Sequence, residues 1–190
     1  VIDLGTLPTP VNYYSSYILD VDASVQITGS HNPPEFNGFK FSLDKRPFYG
    51  KQIQVLKQKI INQDFEIGLG ILTENKIIEN YIDMICSKID FERTLNVAID
   101  CGNACACLTV PTVLEKLGVK FTPLFSDVDN SFPNHHPDPT IDENLNSISA
   151  LIKDGNFDLG LAFDGDADRI VAIDETGEII RSDILMTVFL

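Results

Sequence analysis

The segment 164–169 reads DGDADR, setting three carboxylates, Asp164, Asp166 and Asp168, at alternate positions ahead of Arg169. Carboxylates so close in the chain repel one another unless a cation neutralises them. Their oxygens suit a hard divalent ion, Mg²⁺ where the site also holds phosphate and water. Arg169 beside them suggests an oxyanion shared with that ion, because a guanidinium pairs with phosphate through parallel N–H bonds. Asp164, Asp166, Asp168 and Glu175 also fall at positions 1, 3, 5 and 12 of an EF-hand loop. Against that reading, Arg169 stands where the EF-hand turn needs glycine, and the flanks read as strands rather than helices. A solvated acidic turn without an ion is the third reading that spacing alone allows.

A second segment, 28–40, reads TGSHNPPEFNGFK. It contains no GxxxxGK[ST], so a nucleotide-phosphate cradle is not indicated. Ser30 sits among small residues with His31 beside it, and an Asn37-Gly38 turn with positive φ brings Lys40 back towards it, as suits a nucleophile or phosphoryl carrier. Phosphoryl transfer asks for positioning, a metal and cations near the transferring oxygens. Ser30, Lys40, Arg169 and the three aspartates supply those parts. A serine hydrolase is the competing chemistry, but GSH lacks the GxSxG elbow and no partner acid is evident. In an Asx-turn loop, Ser30 and Asn32 would only bond the backbone. The aspartate motif favours phosphoryl chemistry, which alone needs both segments.

The elements that must position these loops follow from periodicity. A helix over 10–19 with Pro10 in its first turn leads to the strand ASVQIT, which delivers the Ser30 loop, and FKFSL follows that loop as a strand. Two amphipathic helices come next, one with Ile53, Leu56 and Ile60 on a face, the other with Ile78, Ile82, Ile85 and Ile89. From Leu95 the order is strand LNVAID, glycine-bearing loop, helix VPTVLEKL closed by Gly118, and strand VKFTPLF, a βαβ unit. Thr140 to Glu143 has the form of a capping box opening a helix that ends near Gly155. Strand LGLAF, the aspartate loop, strand IVAID, a Thr176-Gly177 turn and EIIR complete the pattern. Two α/β pieces, 1–92 and 93–190, explain this better than one. His135 and His136 are neighbours in extended chain and point to opposite faces, so they read as loop structure rather than as ligands of one ion.

The chain has 190 residues, 14 basic and 28 acidic, for a net charge of −14. That balance argues against general affinity for nucleic acid or anionic membrane, so an anionic ligand must be held by local cations or a metal. No apolar run suggests a membrane helix and no signal peptide opens the chain, which makes cytoplasm the expected location. Cys86, Cys101, Cys105 and Cys107 show no CxxC spacing, so reduced, mostly buried thiols are expected rather than zinc. The chain opens inside a strand and stops within ILMTVFL, which reads as a fragment of a longer protein.

SHNPPEFNGFK and AFDGDADR, with CGNA and FPNHHPDPT between them, resemble the α-D-phosphohexomutase superfamily in its phosphomannomutase/phosphoglucomutase branch, and the resemblance runs from DLGTLPTPV to the end of the chain. It implies two three-layer mixed-sheet α/β domains, both incomplete: the latter part of domain 1, with the phosphoserine loop, and nearly all of domain 2, with the metal loop. The implied reaction interconverts hexose 6-phosphate and hexose 1-phosphate, of mannose or glucose. Ser30 would be the phosphoserine, and glucose 1,6-bisphosphate or mannose 1,6-bisphosphate the intermediate and activator. Asp164, Asp166, Asp168 and a phosphoryl oxygen on Ser30 would hold Mg²⁺, and Lys40 would be a general acid or base. His31 and Asn32 would orient phosphate or sugar, although His31 is equally readable as a structural imidazole; Arg169 would face the phosphoserine. Ala104 where glycine is usual, and Gly29 where alanine is common, depart from the family without removing a chemical group. A sugar-reading domain 3 and a phosphate-clamping domain 4 of the same chain would be the missing partners, so this piece should bind metal but turn over poorly. A phosphoglucosamine mutase and a non-catalytic divalent-metal-binding module remain the alternatives.

Overall fold

The structure is a computed structural model describing residues 1–33 and 35–189; Pro34, inside the Ser30 segment, and Leu190, at the end of the second piece, lie outside them. In chain order the elements are β1 (Ile2–Asp3), α1 (Thr9–Ile18), β2 (Ala23–Ile27), β3 (Phe39–Leu43), β4 (Arg46–Phe48), α2 (Lys51–Ile61), β5 (Thr73–Glu74) and α3 (Ile78–Cys86). Then come β6 (Asn96–Asp100), α4 (Val110–Lys116), β7 (Lys120–Leu124), α5 (Asn146–Asp154), β8 (Leu159–Phe163), β9 (Ile170–Ile173), β10 (Ile179–Ile180) and α6 (Ser182–Thr187). The fold is mixed α/β, as expected.

The second half is built on a five-stranded sheet in the order β10-β9-β8-β6-β7. β6 runs parallel to both β7 and β8, β9 turns back antiparallel to β8, and β10 turns again, antiparallel to β9. Alternation along β6 divides the core. Val97 and Ile99 point to the layer of Leu114 and Val119 on the α4 side, and Ala98 points to Leu145, Ile148 and Ile152 on the α5 side. A strand buried on both faces explains why LNVAID reads as a nearly continuous apolar run. Gly160 lets α5 lie close, since a Cβ there would run into Ile152.

The first half carries the antiparallel sheet β2-β3-β4, with α1 against β2, and a short parallel ladder of β1 with β5. Pairing of Ile27 with Phe39 and Gln26 with Lys40 closes the loop 28–38 and returns Lys40 as expected. α3 touches both halves, through the Tyr14–Tyr81 ring pair and the Lys116–Asp83 ion pair.

Four local expectations are corrected. Neither Asn37 nor Gly38 has positive φ, because the long loop needs no two-residue turn; Gly38 is there for space, as a Cβ would lie 2.9 Å from the Thr28 carbonyl oxygen. Thr140 does not cap a helix. Its hydroxyl and backbone N–H donate to Asp138, and a 3₁₀ turn over Asp142–Leu145 intervenes before α5. α2 forms but buries none of its residues, Ile60 being 55% exposed. α3 ends at Cys86, leaving Ile89 outside it and exposed.

Among the described residues no helix is long and apolar enough to cross a membrane. Ile148 is fully buried at the centre of the α5 layer. Its replacement, Ile148→Ala, should cost about 2–5 kcal/mol of unfolding free energy in a urea titration, with Asp164 and its neighbours untouched.

Candidate active site

Two loops meet at the carboxyl ends of β2 and β8. Residue 165 must be glycine for them to do so, because a Cβ there would overlap the carbonyl oxygen of Ser30. Ser30 itself has φ 53 and Ala167, in the facing loop, φ 55. Left-handed backbone is costly for residues with a Cβ and is retained where surrounding contacts over-determine it, often at functional sites. The Thr28 hydroxyl accepts the Ser30 N–H at 2.8 Å and helps to hold that conformation.

The Ser30 hydroxyl lies 3.1 Å from Asp164 Oδ2 and 3.1 Å from Asp166 Oδ1. Arg169 Nη2 approaches the same oxygen at 3.2 Å and His31 Nδ1 at 3.3 Å. Lys40 Nζ donates to Asp166 Oδ2 and Asp168 Oδ2, both at 2.6 Å. Arg169 also donates to Asp164 Oδ2, through Nε at 3.0 Å and Nη2 at 2.7 Å, and to His31 Nδ1. Asp164 and Asp166 are buried and Asp168 is open to solvent, yet one oxygen of each lies within 4.8 Å of the others. The second oxygen of Asp164 accepts the backbone N–H groups of Asp168 and Arg169, both at 3.0 Å, which fixes the turn.

Burial raises the Asp164 carboxyl pKa against the opposing pull of Arg169. Asp166 is equally deprived of water, but hydrogen bonds from Lys40 and Thr9 bring it below the ordinary carboxylate value. Burial works against the Lys40 ammonium, yet its bonds to Asp166 and Asp168 prevail and hold its pKa above the ordinary lysine value. Three clustered carboxylates facing two cations keep residual negative charge, an oxygen-donor set that fits a hard divalent ion.

The structure thus brings Ser30, His31, Lys40, Arg169 and all three aspartates together. The Asn32 side chain is exposed and makes no hydrogen bond among the described residues; its backbone N–H donates to the Gly29 carbonyl. Two participants were not expected at the site: Thr9, which the sequence did not single out, and His136, which reads there as loop structure. Thr9 is fully buried and donates its hydroxyl to Asp166 Oδ2 at 2.6 Å, while its N–H bonds the Asp166 carbonyl. Its one signal was a hydroxyl between two prolines. His136 reaches the Ser30 loop, its Nε2 lying 2.6 Å from the His31 carbonyl oxygen.

His135 points elsewhere, as alternation predicts. Its Nε2 lies 3.0 Å from Asp100 Oδ2, and Asp100 also accepts the Gly102 N–H. Burial disfavours the charged imidazole, but bonds to Asp100 and to the His136 carbonyl outweigh it and raise the His135 pKa.

The chain matches two family models: phosphoglucomutase/phosphomannomutase alpha/beta/alpha domain I over residues 1–66 and domain II over 79–177. It is 42% identical to the phosphomannomutase/phosphoglucomutase of Pseudomonas aeruginosa across 100% of its own length and 41% of that protein. With the phosphoglucomutase of Neisseria meningitidis serogroup B it shares 40% identity, over 100% of this chain and 42% of the other. A solved phosphoglucomutase/phosphomannomutase family protein from Burkholderia thailandensis superposes with TM-score 0.95 at 38% identity, covering 100% of this chain and 43% of that one. The chain therefore spans less than half the length of the relatives it matches.

A raised imidazole pKa means that the folded state holds the proton more tightly than the unfolded chain. The stabilisation from His135 is then fully present below the ordinary value of 6.5 and is lost as pH rises through the higher folded value. Denaturant titrations of the parent and His135→Gln should differ more at about pH 5.5 than at about pH 8.5. A gap that widens with pH would contradict the assignment.

Proposed function

The chain belongs to the phosphoglucomutase/phosphomannomutase family, and on that premise we propose that it is the catalytic half of an enzyme interconverting hexose 6-phosphate and hexose 1-phosphate, of mannose, glucose or both. The observation that carries this reading is the Ser30 hydroxyl, set between two buried carboxylates and facing Arg169. A hydrolase would have no use for three clustered carboxylates around its serine, whereas an oxygen-donor cage suited to a divalent cation is what a phosphoryl carrier requires. The first piece, ending near residue 92, contributes Ser30, His31, Asn32 and Lys40, and the second, 93–190, contributes the aspartates and Arg169.

In the proposed reaction Ser30 carries a phosphoryl group. A hexose phosphate hydroxyl forms a bond to that phosphorus as the bond to Ser30 Oγ breaks, giving a hexose 1,6-bisphosphate. After the sugar reorients, Ser30 takes back the other phosphoryl group. Lys40, held protonated by Asp166 and Asp168, neutralises charge on the moving group, and His31 beside Oγ accepts the hydroxyl proton. Arg169 stabilises the departing serine oxygen, and Asn32, exposed at the mouth, contacts the sugar. Mg²⁺ held by Asp164, Asp166 and Asp168, with a phosphoryl oxygen on Ser30, would supply further charge neutralisation. Glucose 1,6-bisphosphate or mannose 1,6-bisphosphate would charge the serine. Domains 3 and 4 of the same chain would read the sugar and clamp its distal phosphate, and cytoplasm is the proposed location.

The test is intact mass and phosphopeptide mapping of a full-length protein carrying these residues, with Mg²⁺ and glucose 1,6-bisphosphate. Ser30 should gain one phosphate, about 80 Da, which Ser30→Ala abolishes and Asp166→Asn reduces by at least about tenfold in rate. An unmodified Ser30 in the Mg²⁺-loaded parent would sink the mutase reading in favour of a metal-binding module.

A further inference from the structure

The loop after β6 holds three cysteines that phosphoryl transfer does not use. Cys101 is fully buried where β6 ends, and Cys107, on the 3₁₀ turn Cys105–Leu108, packs against the same buried cluster. Gly102 and Asn103, with φ 56 and 55, turn the chain between them. Cys107 is partly exposed, and its thiol also lies 3.5 Å from the Phe125 carbonyl oxygen.

We propose that Cys101 and Cys107 form a dithiol that hydroperoxides convert to an intramolecular disulfide. Cys107 is the solvent-reachable thiol of the two, and the neighbouring Cys101 thiol lowers its pKa, while that neighbour and burial raise Cys101. The thiolate, rather than the thiol, is the nucleophile, so Cys107 attacks first. Its sulfur bonds the near oxygen of the hydroperoxide, the O–O bond breaks, and the alcohol leaves with a proton, producing a sulfenic acid. Cys101 sulfur then bonds Cys107 sulfur and expels water. The sum is two thiols and one hydroperoxide giving a disulfide, an alcohol and water.

Cys105 serves as an internal control. Burial, then the nearby Asp166 charge, pushes its thiol up to about 11, so it stays protonated and slow. Its backbone N–H donates to the Gly165 carbonyl at 3.2 Å, so the proposed disulfide lies on the same turn that braces the aspartate loop. The proposal does not depend on the mutase reading, because its readout needs no sugar or metal.

All three cysteines fall between Arg93 and Lys116 in one tryptic peptide, so variants must distinguish the partners. The natively folded chain is treated with hydrogen peroxide, freed of excess peroxide and weighed without alkylation. The parent and Cys105→Ser should each lose about 2 Da, and dithiothreitol should restore both. Cys101→Ser should instead gain about 16 Da as a sulfenic acid that dimedone traps. Loss of the disulfide in Cys105→Ser, a linkage between molecules, or direct over-oxidation of Cys107 in the parent would each overturn the proposal. Should Cys105→Ser fail to fold, Cys105→Ala takes its place in assigning the partners.

Discussion

Three carboxylates crowded within 4.8 Å, two of them out of water, are the constraint around which the rest of the structure is arranged. Buried like charges persist only where cations and donors surround them. The aspartate loop supplies one cation itself, Arg169, and its own backbone N–H groups. The remaining compensation comes from across the molecule: Lys40 on β3, Thr9 at the start of α1, and the hydroxyl of Ser30. Electrostatic demand in one half is met by side chains of the other, so charge compensation and assembly of the two halves are one event.

The same arrangement gives adjacent carboxyls different characters. Asp164 is dominated by loss of water, Asp166 by the donors it has gathered, and their affinities for a proton are driven in opposite directions. Lys40 acquires its charge preference from the second and third aspartates together. A lysine so held is suited to electrostatic work near an anion.

Much of this was legible because both loops carry their chemistry in contiguous residues: DGDADR and SHN state donors and acceptors outright. The helices closed where punctuation was strong, as at Gly118, whose φ of 67 ends α4. Thr9 was not legible, since a single hydroxyl between prolines has meaning only when residue 166 arrives from the other half. Thr140 misled because a nearer acceptor, Asp138, won its hydroxyl, and Asn37-Gly38 because the loop closed through strand pairing. Periodicity foresaw α2 but not its neighbours: an apolar stripe states that a face wants cover, without naming what covers it.

The aspartate loop is also braced by main-chain contacts from three sides. The Thr9 N–H meets the Asp166 carbonyl, the Cys105 N–H meets the Gly165 carbonyl, and Gly165 itself rests against the Ser30 carbonyl. Unlike the side-chain bonds to the carboxylates, these main-chain contacts are blind to side-chain identity except at the glycine. Substitutions can therefore rewrite the surrounding surfaces while these main-chain contacts keep their form.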